Sequence, residues 1–223
     1  MKGKLFIIEG SDSSGKATQT EKLYNRLVEE GYNVRKLEYP NYKSDSSALV
    51  KMYLRGDFGD KPGDVDPYIA STFYAVDRYA SYKTEWEDFY LNGGIVLCDR
   101  YTTSNMIHQA AKMEDAEQRD KYLDWLWNYE FLMYKLPVPD CVIFLDMPSE
   151  MSRKLMEERK NKITGGEQKD IHESNYDYLV KSYNNAVSIG RKYRWTRVEC
   201  VENGFLRTID SIHDEVYSVL KDK

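Results

Sequence analysis

The chain has 223 residues, a length that suits one α/β domain with a sizeable buried core. Its 32 basic and 37 acidic side chains give a formal net charge of −5, which argues against nucleic-acid-binding and membrane-surface proteins because both need a basic excess. The three cysteines, Cys98, Cys141 and Cys200, lie in apolar runs, so we expect a cytoplasmic protein without a disulfide framework.

The first predicted element is a strand over residues 1–9. Its apolar stretch at residues 5–8 is far too short for a signal peptide or a membrane span, so no membrane partner is expected. A helix with apolar residues at helical spacing starts at Lys16 and stops at Gly31, and residues 34–39 alternate like a second strand. This order predicts a right-handed βαβ unit of a parallel sheet.

The residues between this strand and helix have the spacing of a phosphate-binding loop. Glycines at positions 10 and 15, followed by Lys16, let backbone N–H groups surround a phosphate and bring one ammonium group to it. The hydroxyl expected after the lysine is missing, because position 17 is alanine. The alternative interpretation is a glycine turn beside a solvated lysine. The predicted phosphate ligands are Gly10, Ser11, Asp12, Ser13, Ser14, Gly15, Lys16, Ala17 and Thr18.

The rest of the chain continues the alternation of strands and helices. Asp66 and Pro67 have the pattern of a helix N-cap and first turn. Apolar strands are predicted at residues 95–98, 141–145 and 195–201, and helices at 67–92, 149–162, 176–192 and 209–220. The pattern predicts a single α/β domain over residues 1–223 with a doubly wound parallel five-stranded sheet flanked by helices.

A charged pair, Asp99-Arg100, directly follows the strand at residues 95–98. Ligands of open parallel sheets bind outside the carboxyl ends of the strands. The carboxylate could hold a metal-bound water or orient an attacking oxygen, and the guanidinium could bind a second phosphate bidentately. The alternative is a structural ion pair with a neighbouring helix.

Two further groups are candidates for ligand binding. Tyr74 and Arg78 lie four residues apart, so they share one helix face and could stack on a base and hydrogen-bond its edge; alternatively, Tyr74 is a core aromatic residue. Residues 153–162 carry five basic side chains just before Gly165-Gly166. Such a run is either a solvated helix face or a lid that brings arginines to the phosphates.

With these motifs in place, the chain resembles the thymidylate kinase family of P-loop nucleoside monophosphate kinases over nearly its whole length. The resemblance rests on residues 9–19, on residues 73–78, and on Asp99-Arg100-Tyr101 followed by Ser104, Asn105, His108 and Gln109. It implies a P-loop NTPase fold with a lid at about residues 153–173 and a homodimer. It also implies transfer of the ATP γ-phosphoryl group to dTMP, with Mg²⁺, to give dTDP for dTTP synthesis.

The resemblance also implies roles for individual residues. Catalytic roles fall to Lys16, Asp99, Arg100 and a lid arginine. The arginine is expected in the lid because residues 11–14 of the phosphate-binding loop contain no basic side chain. Arg153 is the first choice for the lid arginine and Arg159 the second. Asp99 is the implied metal ligand. The acceptor nucleotide is expected to contact Asp12, Lys43, Tyr74, Arg78, Arg100, Asn105, His108 and Gln109.

Four departures from the family pattern keep alternatives open, and one of them is a glycine- and lysine-rich lid segment at residues 161–169 where the family tends to carry another arginine. Ala17 removes a hydroxyl that usually binds Mg²⁺, and Tyr42 stands near where an arginine often meets the acceptor phosphate. His108 replaces a tyrosine that often crowds out a ribose 2′-hydroxyl. The alternatives are a kinase for another nucleotide or a deoxynucleoside, and a non-catalytic nucleotide-binding protein on a degraded kinase scaffold.

Overall fold

The computed structural model describes residues 2–157, 171–172 and 175–221. Arg159 and most of the expected lid at residues 153–173 lie outside the described residues. Within the described ranges, the helices lack the combination of length and apolar character that crossing a bilayer would require.

One parallel five-stranded sheet organises the described residues. Its strands are β1 (Lys4–Gly10), β2 (Val34–Glu38), β3 (Ile95–Asp99), β4 (Cys141–Asp146) and β5 (Thr196–Glu199). They lie in the order β2-β3-β1-β4-β5. Almost every residue of β1 and all of β4 are buried, because helices cover both faces of the sheet. The predicted doubly wound α/β fold is confirmed.

Helices connect these strands at close to the predicted positions. They are α1 (Lys16–Glu29), α2 (Ala48–Arg55), α3 (Pro67–Ser81), α4 (Glu87–Leu91), α5 (Thr102–His108), α6 (Ala116–Trp127), α7 (Ser149–Glu157), α8 (Tyr176–Lys192) and α9 (Ile209–Lys221). π-helical turns at Tyr82–Trp86 and Asn128–Met133 follow α3 and α6. The predicted cap of α3 is confirmed, since the Asp66 carboxylate accepts a hydrogen bond from the Tyr68 backbone N–H.

The predicted last strand, residues 195–201, is wrong in extent. β5 ends at Glu199, and the chain then forms a small antiparallel hairpin of β6 (Val201–Glu202) and β7 (Phe205–Leu206). Asn203 and Gly204 both have positive φ angles, 51° and 82°, which is the geometry of a tight two-residue hairpin turn. Pattern analysis missed it because two-residue strands carry no measurable periodicity.

Successive residues of β1 divide the core into two layers. Phe6 and Ile8 pack against α1 and α9 on one face, whereas Leu5 and Ile7 pack against the Tyr82–Trp86 turn on the other. The parallel arrangement brings the carboxyl ends of β1, β3 and β4 to one edge of the sheet. Gly10 and Asp99 therefore meet at that edge.

Candidate active site

The segment from Gly10 to Lys16 forms a tight loop between β1 and α1. A Cβ on Gly10 would lie 2.5 Å from the Ser14 Oγ and 2.9 Å from the Leu145 carbonyl oxygen, so only glycine fits. Gly15 has a φ of 90°, which glycine adopts without strain. The Lys16 ammonium donates to the carbonyl oxygens of Gly10 at 3.0 Å and Ser11 at 2.6 Å. The Lys16 ammonium thus lies within the loop, bound to two of its backbone carbonyl groups.

The Lys16 side chain is buried among charges of both signs. Burial lowers the pKa of Lys16 to about 8, and the charge of Arg100 acts in the same direction, while Asp12, Asp99 and Glu9 oppose it. An anion that entered the loop would favour the charged form and raise this pKa. The loop is therefore suited to binding an anion.

Arg100 turns back from the end of β3 onto the loop. Its Nη2 donates to the Asp12 carboxylate, and its Nη1 lies 3.9 Å from a Glu9 carboxylate oxygen. Nη1 also donates to the Ser104 hydroxyl at 3.4 Å. Two predicted site residues, Asp12 and Arg100, are thus in direct contact although 88 positions separate them. Asp99 is buried beside them at the end of β3.

Glu9 is a site residue to which sequence reasoning gave no role. Its fully buried carboxylate accepts hydrogen bonds from the Thr103 hydroxyl at 2.7 Å and the Ser104 hydroxyl at 2.8 Å. It also accepts from the backbone N–H of Gly10 at 3.0 Å. Glu9 thereby ties α5 to the phosphate-binding loop. An acid at the end of an otherwise apolar strand was the signal that could have found it.

The last turn of α5 places His108 beside Arg100. The His108 Nε2 lies 3.2 Å from the Arg100 Nη1. Burial lowers the pKa of His108 to about 3; the Asp12 charge opposes this shift, and the charges of Arg100 and Lys16 add to it. His108 is therefore a neutral imidazole at physiological pH. Gln109, the next residue, is also buried.

Arg78 forms a buried ion pair with Glu130, which the sequence did not reveal. The Arg78 Nε and Nη2 donate to the two Glu130 carboxylate oxygens at 2.7 and 2.5 Å. Its Nη1 lies 3.4 Å from the Tyr101 carbonyl oxygen. The Glu130 carboxylate also accepts from the Thr102 hydroxyl at 2.8 Å and lies 3.5 Å from the Asn105 amide nitrogen. The pair joins α3, α5 and the turn after α6.

The other predicted acceptor residues have mixed surroundings. Tyr74 is half-buried and packs edge-on against Tyr53, with 6.3 Å between the ring centres. Tyr42 is half-buried and Lys43 is exposed. Tyr74 thus borders a packed cluster, which leaves both interpretations of it in place.

Arg153 lies on α7 and is exposed, with its guanidinium carbon 5.2 Å from the centre of the Tyr176 ring. The preceding residue, Ser152, donates from its hydroxyl to the Asp12 carbonyl oxygen. The helix that carries Arg153 therefore contacts the phosphate-binding loop. Arg159 lies outside the described residues.

A second buried polar group lies behind His108. The Tyr53 hydroxyl lies 2.9 Å from the His172 Nε2 and accepts from the Lys112 ammonium at 3.0 Å. The His108 and His172 rings are nearly parallel, with 6.1 Å between their centres. Sequence spacing could not predict this group because its members are far apart in the chain. Among the described residues, no cluster of three or more His, Cys, Asp or Glu side chains could hold a metal ion.

Comparison with known proteins agrees with this geometry. The family model described as "Thymidylate kinase" matches residues 8–200. The thymidylate kinase of Mycobacterium tuberculosis is 31% identical over 149 residues, which cover 66% of this chain and 68% of that protein. The thymidylate kinase of Caldicellulosiruptor saccharolyticus is 24% identical over 222 residues, 100% of this chain and 98% of that protein.

Solved structures give the same result for the fold. The structure of thymidylate kinase from Candida albicans superposes with a TM-score of 0.74 at 21% sequence identity. The match covers 99% of this chain and 92% of that one. At this identity the likeness supports the fold alone.

Proposed function

The chain belongs to the thymidylate kinase family, a family of phosphotransferases, and we propose that it transfers the ATP γ-phosphoryl group to dTMP to give dTDP for dTTP synthesis. One observation carries the proposal. Arg100, at the end of β3, meets Asp12 of the phosphate-binding loop directly, so a cation suited to a second phosphate lies next to the loop suited to the first.

In this proposal the loop holds the donor nucleotide. The backbone N–H groups of residues 10–18 surround the ATP phosphates at the start of α1, where the helix dipole favours negative charge. Lys16 leaves the carbonyl oxygens that it now contacts and binds the phosphates instead. The low pKa of the buried lysine supports this exchange, because a phosphate would compensate its charge.

Arg100 holds the acceptor phosphate in line with the γ-phosphoryl group. A nucleotide phosphate is already largely ionised at neutral pH, since its second pKa is about 6, so the attack needs no strong general base. Catalysis then depends on positioning and on neutralising the charge that develops between the phosphates. A lid arginine, Arg153 or Arg159, neutralises part of that developing negative charge. The contact of α7 with the loop supports Arg153 for this role.

The acceptor base and sugar lie against α3 and α5. Tyr74 stacks on the base, Arg78, Asn105 and Gln109 lie beside it, and Asp12 and His108 face the sugar. Lys43 assists with the phosphate. Because Glu130 binds the Nε and Nη2 edge of the Arg78 guanidinium, Nη1, which lies 3.4 Å from the Tyr101 carbonyl oxygen, is the nitrogen that would reach a base carbonyl.

Mg²⁺ fits the residues at the loop, although Ala17 offers no hydroxyl. Magnesium in such sites keeps several waters and binds one or two carboxylates together with substrate phosphates. Asp99, buried at the carboxyl end of β3, supplies such a carboxylate. When bound with ATP, the ion neutralises phosphate charge.

The proposal extends to the whole molecule. Residues 1–223 form one kinase domain with a lid at about residues 153–173, in the cytoplasm, and two copies form a homodimer. Three buried cysteines support a reducing compartment. Exposed apolar side chains on α3 and the turn after α6 support the dimer.

The test is a panel of acceptors with ATP and Mg²⁺, measured as ADP release. We expect release that depends on the acceptor and is fastest with dTMP. Fastest release with another nucleotide or a deoxynucleoside would change the substrate assignment, and His108 and Tyr42 are the positions to examine then. No acceptor-dependent release with any member would contradict the proposed activity and favour a non-catalytic nucleotide-binding protein.

A further inference from the structure

The Arg100 Nη1 has two neutral hydrogen-bond partners, with a Glu9 carboxylate oxygen farther away at 3.9 Å, whereas Nη2 has an acidic partner. Nη1 donates to the Ser104 hydroxyl and lies 3.2 Å from the His108 Nε2, whereas Nη2 donates to Asp12. A neutral acceptor fixes the direction of an arginine without cancelling its charge. A carboxylate in place of His108 would add a negative charge beside a phosphate ligand.

The contact determines which nitrogen of His108 carries the hydrogen. An arginine guanidinium has only donors, so the His108 Nε2 must offer its lone pair. The imidazole is neutral, and its hydrogen therefore resides on Nδ1. Among the described residues this buried Nδ1 has no hydrogen-bond partner. An unpartnered buried donor costs stability, so packing alone does not explain a histidine at this position.

The surroundings hold His108 in place. The Tyr178 hydroxyl donates to the His108 carbonyl oxygen at 2.8 Å. The His172 ring lies nearly parallel to the His108 ring, at an interplanar angle of 15°. The Tyr53 hydroxyl accepts from the Lys112 ammonium and lies 2.9 Å from the His172 Nε2, so the His172 ring is itself hydrogen-bonded where it faces His108.

From this geometry we propose that His108 is a positioning residue that holds Arg100, through the lone pair of Nε2, in the direction needed for the acceptor phosphate. The proposal rests on the proposed function, because that function gives Arg100 its phosphate. His108 acts on the acceptor side only. Its loss should weaken acceptor use and leave ATP binding intact.

The first test does not depend on activity. Nitrogen-15 NMR of the imidazole nitrogens distinguishes the two neutral tautomers. We expect the free protein to show His108 with hydrogen on Nδ1 and a bare Nε2. Hydrogen on Nε2, or a charged ring at neutral pH, would overturn the proposal whether or not the protein phosphorylates dTMP.

The second test compares three replacements of His108. A glutamine carries its amide to about the position of Nε2, whereas an asparagine reaches only to about Nδ1. We therefore expect His108→Gln to keep the KM for dTMP within about threefold of wild type, and His108→Asn and His108→Leu to raise it about tenfold or more, as loss of a hydrogen bond to a charged group would. The KM for ATP should change less than twofold in all three.

His213→Leu is the matched control. His213 is also buried, its Nδ1 also has no partner among the described residues, and its nearby charges come from α1 and α9. We expect no change in either KM. Equal dTMP KM values for His108→Gln and His108→Asn, with both variants folded by thermal unfolding, would overturn the proposal. If wild type uses no acceptor at all, the proposed function fails, and the NMR result alone then tests whether the His108 Nε2 offers its lone pair to Arg100.

Discussion

Arg100 has a backbone conformation that residues other than glycine rarely adopt, with a φ of 69°. The left-handed conformation costs an L-residue about 1 kcal/mol or more. In this conformation the side chain leaves the end of β3 and contacts Asp12 and His108.

Two truncations of Arg100 separate this strain from the chemistry. Arg100→Ala and Arg100→Gly both remove the guanidinium, so we expect turnover to fall about a thousandfold in each. Glycine tolerates the positive φ, so Arg100→Gly should be about 1 kcal/mol more stable than Arg100→Ala. Steady-state kinetics and urea unfolding measure the two effects. Turnover above a tenth of wild type, or the reverse order of stability, would contradict the role or the strain.

Tyr74 can be tested against its neighbour. Phe73 and Tyr74 are both half-buried and border the same apolar cluster. If Tyr74 stacks on the acceptor base, Tyr74→Ala raises the KM for dTMP at least tenfold, since base stacking contributes about 1–3 kcal/mol, and leaves the KM for ATP nearly unchanged. Phe73→Ala should lower stability and leave both KM values nearly unchanged. A matching rise in both KM values for Tyr74→Ala would instead assign it to the core.

The residues that could be predicted from sequence are those whose neighbours in the chain define their role. The glycines and Lys16 of the loop have this property, and so does Arg100, which directly follows a strand. Glu130 does not, because its partner Arg78 is 52 positions away and on another helix. His172 likewise has its hydrogen-bond partner, Tyr53, 119 positions earlier in the chain. Such pairs follow from packing and leave no local pattern.

At the scale of elements, the buried Arg78–Glu130 pair joins α3 to the turn after α6. Removing one partner of such a pair leaves a buried charge uncompensated, which typically costs about 3 kcal/mol or more. We expect Glu130→Gln to lower the midpoint of thermal unfolding by roughly 6–12 °C for a chain of this size.

Glu117→Gln provides the control for this prediction. Glu117 forms an exposed pair with Lys121 on α6, at 2.7 Å. Exposed pairs of this kind contribute less than about 1 kcal/mol, so its midpoint should move by only a few degrees. Equal shifts for the two variants would mean that the buried pair contributes no more than a surface pair.

Strands and helices could be predicted because the apolar runs are short and bounded by glycine, proline or charged residues. The helix at residues 176–192 was predicted with the bounds that α8 has. The order of the strands could not be obtained this way, since periodicity gives the burial of a strand and not its neighbour. The small hairpin after β5 was missed because its two-residue strands are too short to show a periodicity. Elements follow from local patterns, and their arrangement follows from packing.

At the scale of the whole molecule, buried histidines link stability to pH. Burial lowers the pKa of His108 to about 3 from 6.5 and holds that of His172 well below its usual value. The unfolded chain therefore binds more protons than the folded one below pH 6.5, and stability falls as the pH decreases through this range. From pH 7 to pH 5, His108 alone should account for about 2 kcal/mol.

Comparison with His108→Leu isolates this contribution from that of the carboxylates. The free energy of unfolding in urea, measured at pH 7 and pH 5, should fall about 2 kcal/mol less for the variant than for wild type. The paired acids remain in both proteins, so their contributions cancel in the difference. Burial, the largest cause of the low His172 pKa, also remains, while the smaller effect of the His108 charge on His172 is counted with His108. The same fall in both proteins would show that His108 is already solvated or charged in the folded state.

Exposed apolar side chains lie on α3 and on the turn after α6, which meet through Tyr79 and Tyr134. Val76 is 44% exposed, Leu132 is 61% exposed and Met133 is 70% exposed. The Tyr79 and Tyr134 rings, 5.1 Å apart, connect the two parts. Exposed apolar patches of this kind mark protein interfaces, and a self-complementary patch joins two copies about a twofold axis.

A charge placed in this patch should therefore separate the copies. We expect wild type to sediment as a dimer and Val76→Glu as a monomer at the same micromolar concentration. Val28→Glu is the matched control, since Val28 on α1 is 48% exposed and lies outside the patch, and it should remain dimeric. If wild type is a monomer, or if both variants dissociate equally, the patch does not form the dimer interface. A dimer that persists in Val76→Glu would place the interface on another face, because a buried unpaired carboxylate is too costly for an interface core.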